Sequence, residues 1–229
     1  MNARASRHIQ VFSGILALLL GVGVASSDPA HGGNPPHIYV TDAANNRIVR
    51  MDDFTGAGWT TFGTIGPGVN QFSFPKGLFV DPAGRIYVTD ANNARIVRVD
   101  DMTGKNWSSL GGPVPGGGVG QFYSPTDIVV DVAGRIYVTD EGNNRIVRMD
   151  DMTGKGWTVF GSADSGAKNS QFGNPFGLAV DPAGPIYVAD TRNNRIVRMN
   201  DMTGAGWTAL GAIGPGVKQF VGPQSVFLR

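Results

Sequence analysis

The 229-residue sequence contains no cysteine. That excludes a disulfide framework, thiol chemistry and a lipid-modified N-terminal cysteine, so packing alone must hold the chain. Histidine is nearly as scarce: His8, His31 and His37 all precede the repeating part of the chain. A three-histidine zinc site on recurring loops cannot be built from them within one chain. A Ser-His-Asp triad lacks both a suitably placed histidine and a Gly-x-Ser-x-Gly elbow. Charge is sparse, at 16% of residues, and close to balanced, at 19 basic against 18 acidic side chains. Such a balance offers no electrostatic footprint for nucleic acid or an anionic membrane. With 41% hydrophobic residues the chain can nonetheless build a core and is not disordered.

No apolar run reaches the ~20 residues needed to span a membrane. The longest, Val11 to Ala25, follows Arg4 and Arg7 and ends at the small residues Ala25, Ser26 and Ser27. Residues 1–27 therefore read as a secretory signal peptide, with 28–37 as a lead-in, and the product is expected in the periplasm or medium. Removing the leader leaves 17 basic and 18 acidic residues and no membrane attachment.

What the sequence has in plenty is glycine, 34 residues, and repetition. Ile38-Tyr39-Val40 returns at Ile86, Ile136 and Ile186, and tryptophans recur at Trp59, Trp107, Trp157 and Trp207, both at intervals of 48, 50 and 50. A fixed period of this size marks one supersecondary unit copied and stacked. The third copy contains four short β-rich runs, Ile128–Val130, Ile136–Thr139, Arg145–Met149 and Trp157–Phe160. Turn chemistry separates them: "DPAG", as in Asp81 to Gly84, fits a type I turn, and "DDMTG", as in Asp150 to Gly154, makes another reversal. Four hairpin-linked strands per ~50 residues describe one blade of a β-propeller.

The run Gly77–Asp100, "GLFVDPAGRIYVTDANNARIVRVD", and its copies resemble the NHL repeat over nearly all of 38–229. In that pattern an aspartate after the second strand precedes an asparagine and an arginine. Here these are Asp42, Asn45 and Arg47; Asp90, Asn93 and Arg95; Asp140, Asn143 and Arg145; and Asp190, Asn193 and Arg195. The histidine usual after the asparagine is replaced by Asn46, Ala94, Asn144 and Asn194. The resemblance implies a propeller, more often of six blades, and leaves function open, because such propellers serve as enzymes, receptors, scaffolds and RNA binders.

The sequence counts sixteen strands from Ile38 onward, or four blades. The terminal "PQSVFLR" aligns with "PKGLFVD" and is expected to pair, through Ser225–Leu228, with the blade begun by Ile38–Met51. An all-β, closed four-bladed propeller results, with an open arc as the alternative. The aspartates and arginines of the motif, the tryptophans, and Phe72, Phe122, Phe172 and Phe220 are expected to hold the blades together. The acidic pairs such as Asp150-Asp151 lack the spacing of a calcium loop and are expected to cap turns.

In an up-and-down meander the loops after the second and fourth strands of each blade share one face. Positions that differ among otherwise similar copies are the candidates for ligand contact there. They are Lys76, Thr126, Asp127, Phe176 and Gln224 at the entry to the inner strands, with Glu141 and Arg192 on the second loops. The expectation is a non-enzymatic binding or scaffold module for a protein, peptide or carbohydrate, without cofactor or metal. The rival is a metal-dependent lyase or lactonase-like hydrolase with Asp127, Glu141 and asparagines at the channel mouth.

Overall fold

A computed structural model describes residues 24–26, 37–162 and 164–228. The signal peptide and lead-in fall almost wholly outside them. The described chain forms four antiparallel four-stranded sheets. Sheet one contains β1 (Val24–Ser26), β2 (Ile38–Asp42), β3 (Arg47–Met51) and β4 (Thr60–Phe62). A small parallel pair, β5 (Thr64–Ile65) and β6 (Gln71–Phe72), leads out of it. Sheet two contains β7 (Pro75–Val80), β8 (Ile86–Asp90), β9 (Arg95–Val99) and β10 (Ser108–Gly111). Sheet three contains β11 (Pro125–Val130), β12 (Ile136–Asp140), β13 (Arg145–Met149) and β14 (Thr158–Gly161). Sheet four contains β15 (Pro175–Val180), β16 (Ile186–Asp190), β17 (Arg195–Met199) and β18 (Thr208–Leu210).

The connections follow from local chemistry. In the first turn of sheet two, Asp81 accepts the N–H groups of Ala83 and Arg85 at 3.0 and 2.9 Å, and Gly84 takes φ +83°. Between the second and third strands of every sheet, one 3₁₀ turn ends in a left-handed residue: Asn46, Ala94, Asn144 or Asn194. Asparagine tolerates that conformation and alanine does not, so Ala94 is the strained member of the set.

The core lies in the seams between successive sheets. In the first seam Tyr39, Ile48, Phe62 and Phe72 pack against Leu78, Ile86, Val88, Val97 and Val99. The second repeats it with Tyr87, Ile96 and Phe122 against Ile128, Ile136, Val138, Val147 and Met149. The third sets Tyr137, Ile146, Phe160 and Phe172 against Leu178, Ile186, Val188, Val197 and Met199. Each seam is sealed by the next tryptophan, whose ring lies 5.3–5.5 Å from the preceding phenylalanine: Phe72–Trp107, Phe122–Trp157 and Phe172–Trp207.

The two ends depart from expectation. Val226, Phe227 and Leu228 form no strand, and β2 already has β1 on one edge and β3 on the other. The pairing expected of Ser225–Leu228 is thus made by Val24–Ser26, a segment assigned to the leader. The tail lies instead beside β15: a Cβ on Gly177 would meet the Gln224 carbonyl at 2.5 Å, as one on Gly77 would meet the backbone of Asp127 at 2.6 Å. It therefore occupies the place of the next inner strand, beyond sheet four. Trp59 and Phe220, expected to seal a seam like their counterparts, have no partner sheet; Trp59 is 53% exposed and Phe220 half-buried.

Candidate ligand-binding face

Three of the residues singled out from sequence meet on the loop face, one from each of sheets two, three and four. Lys76 Nζ donates to Glu141 Oε2 at 3.0 Å and lies 5.4 Å from the centre of the Phe176 ring. Ser124 Oγ accepts from the same Nζ at 3.3 Å and donates to Glu141, whose other oxygen accepts from Asn174 Nδ2 at 3.3 Å. Both charged side chains are mostly covered, so the cluster is a semi-buried polar tie across three sheets rather than a free charged rim.

The other four candidates behave differently. Thr126 is buried: its hydroxyl is within hydrogen-bond distance of Thr139 Oγ1 at 2.9 Å and of the Phe176 carbonyl at 3.1 Å. It fastens one inner strand to the next, so Thr126 is buried in a joint between sheets where the sequence placed it on the rim. Asp127 accepts the N–H of Leu178 at 2.8 Å and of Ile128 at 2.9 Å, tying β11 to β15. With no cation on it, burial pushes its carboxyl up to about 7, against the pull of those two amides. Arg192 and Gln224 are exposed on the sheet-four side. Asp127 and Glu141 are thus held by different partners, and among the described residues no three His, Cys, Asp or Glu side chains gather as metal ligands.

The repeated Asp-Asn-Arg residues are structural, as expected. In sheet two, Arg95 Nε donates to Asp90 at 2.7 Å, while its other nitrogens donate to the carbonyls of Pro67, Gly68 and Gln71 on the preceding loop. Asp90 in turn accepts the Ser73 N–H at 2.6 Å. The acidic pairs cap turns: Asp53, Asp101 and Asp151 each accept from a threonine two residues on, as Asp201 does after Asn200.

Two features of this face escaped the sequence reading. Tyr123 is fixed through its backbone, its N–H donating to Asp140 and its carbonyl accepting from Gly142, while its ring stands half in solvent over Gly142. The variability that singled out Lys76 would have found it, since the equivalent residues are Ser73, Gly173 and Val221. The loops after the fourth strands also display aliphatic side chains to solvent: Ile65 and Val69, Val114 and Val119, Ile213 and Val217, each at least 68% exposed. They recur in three copies, so a reading that prized differences passed over them. A shallow cleft of about 550 Å³ lies elsewhere, on the turn side of the seam between sheets one and two, lined by Tyr39, Arg50, Thr60 and Met102.

The chain carries NHL repeats: the NHL repeat model matches residues 72–99, 122–149 and 172–199. No curated protein is significantly similar in sequence. Among solved structures, virginiamycin B lyase from Staphylococcus aureus matches at 19% identity and a TM-score of 0.53, over 83% of this chain and 55% of that one. A streptogramin B lyase matches at 18% and 0.57, over 85% and 56%. A chain of a nidogen–laminin complex matches at 22% and 0.63, over 90% and 66%. These likenesses define the fold class, an all-β propeller built of NHL repeats. The chain spans little more than half the length of the two lyases. Among the described residues no helix is long and apolar enough to cross a membrane.

Proposed function

We propose that this chain is an exported protein-binding propeller module whose loop face takes a protein partner or an extended peptide of one. The observation that carries the reading is the repeated display of solvent-exposed aliphatic side chains on that face. Ile65, Val69, Val114, Val119, Ile213 and Val217 project from three loops, and the half-exposed Tyr123 precedes Ser124, which bonds Lys76 and Glu141. Exposing so much apolar surface on one side costs solubility unless it is covered, and a polar centre within an apolar rim suits a protein surface better than a sugar. A neighbour in fold seen within a nidogen–laminin complex supports a protein as the kind of partner.

Site-specific photo-crosslinking in the producing organism tests this. A photoreactive residue at Val119, on the loop face, should yield one discrete adduct of higher mass. The same residue at Val132, 83% exposed on the turn face, should yield none. Equal labelling at both positions, or none at either, would count against the reading.

A further inference from the structure

We propose that this chain associates head to tail with a second copy of itself, sheet four of one copy docking on sheet one of the next. The joint uses the backbone of the loop that carries Ile213 and Val217, whose side chains stay on the rim as those of Ile65 and Val69 do at the first seam. The argument starts from the three seams inside the chain, which are copies of one interface. In each, the loop leaving one sheet is gripped by the aspartate, asparagine, arginine and tryptophan of the next. At the first seam Asn93 Nδ2 donates to the Gly66 carbonyl at 2.9 Å and Arg95 to those of Pro67, Gly68 and Gln71. Asp90 accepts the Ser73 N–H, and Trp107 covers Phe72.

Both halves of a fourth such seam exist, and they are unused. The loop leaving sheet four, residues 212–220 (AIGPGVKQF), matches residues 64–72 (TIGPGVNQF) at seven of nine positions. It also has the same shape. Gly214 N–H donates to the Phe220 carbonyl as Gly66 does to Phe72, and Gly216 N–H to Gln219 Oε1 as Gly68 does to Gln71. Asn194 Oδ1 holds Gly222 N–H at 2.9 Å, as Asn46 holds that of Phe74. Behind the loop, Tyr187, Ile196 and Phe220 are only half-covered, whereas their counterparts Tyr87, Ile96 and Phe72 are buried.

The receiving half is sheet one. Arg47 Nε donates to Asp42 at 2.8 Å and Asn45 Nδ2 to the same carboxylate at 2.9 Å, the arrangement of the interior seams. Yet Arg47 and Asp42 side chains are 35% and 26% exposed, against 9% and 0% for Arg95 and Asp90. Among the described residues no phenylalanine ring lies against Trp59, which is 53% exposed. The two halves face outward at opposite ends of the row of sheets, so the occupant whose chemistry fits each is another copy of this chain. An interface of this heterologous kind joins unlike surfaces and extends until the rotation closes.

The tail has a defined place in that joint. Leu78, Phe79 and Val80 pair with Val88, Tyr87 and Ile86 in sheet two. By the same register Val226, Phe227 and Leu228 fall opposite Val40, Tyr39 and Ile38, the residues that β1 pairs through Val24, Ala25 and Ser26. The incoming tail therefore takes the place of β1 at that edge, and brings phenylalanine and leucine to it. Removal of a leader ending near Ser27 vacates the same edge.

The test is the mass of the full chain by sedimentation equilibrium across a hundredfold range of concentration. The expected result is mass rising above the monomer, abolished by Arg47→Glu in the receiving half and by Phe227→Asp in the tail. Phe227 is exposed, whereas Arg47 is half-buried against Asp42, so circular dichroism and thermal melting check that each variant folds. An equal mixture of the two variants retains one intact head-to-tail joint and should return to twice the monomer mass, no more. A monomer at every concentration would overturn the proposal, as closure of the chain on its own tail would give. A self-associated form that both substitutions leave intact would overturn it equally.

Discussion

Ala94 is the residue at which the repeat departs from its own rule. It holds φ +50° where the other three copies place asparagine, and it has no side-chain oxygen to receive the Ser124 N–H as Asn46 and Asn144 receive those of Phe74 and Asn174. Ala94→Asn should therefore raise stability by about 1 kcal/mol, from relief of the left-handed strain and one added hydrogen bond. A denaturant midpoint that falls would contradict this. Core valines differ by position in the same way. Val138 is fully buried in the second seam, while Val40, at the open edge, is half-buried. Val138→Ala should cost about 2 kcal/mol and Val40→Ala less than half as much, read by urea unfolding.

At the scale of the element, the seam is the unit of stability, and its tryptophan shows this. Trp157 lies against Phe122 and 5.9 Å from the Arg145 guanidinium, so Trp157→Ala should cost about 3 kcal/mol. Trp59→Ala, with no partner sheet, should cost under about 1 kcal/mol in dilute protein. These elements were the most legible part of the sequence, because turn dipeptides and a constant spacing fix each strand locally. The Asp-Asn-Arg grip and the phenylalanine plugs were legible for the same reason. The ring closure was not: "PQSVFLR" has the composition of an inner strand wherever it goes, and nothing local says which edge it meets. Nor could variability alone separate Thr126, whose hydroxyl closes an interior joint, from Lys76, which reaches the loop face. Both differ among copies, and only three-dimensional placement divides them.

At the scale of the molecule, one carboxyl, that of Asp127, ties the inner strands β11 and β15. The Asp127 carboxyl titrates near 7 in the folded chain and near the ordinary carboxylate value when unfolded. A group that binds its proton more tightly when folded contributes most below its unfolded pKa, so stability should decline as pH rises from about 4 to about 7. Asp127→Gly, the residue present at Gly77 and Gly177, should flatten that decline in a thermal-melting series. An unchanged slope would remove Asp127 from the account.

One seam, formed three times among four sheets, leaves its receiving half exposed on sheet one and its donating half exposed on sheet four. Hydroxyl-radical footprinting of dilute protein measures this directly, because mass spectrometry reads each tryptophan separately in the unaltered chain. Trp59 should oxidise several-fold faster than Trp107, Trp157 and Trp207. Equal protection of all four would mean that sheet one is covered by a fourth seam within the single chain.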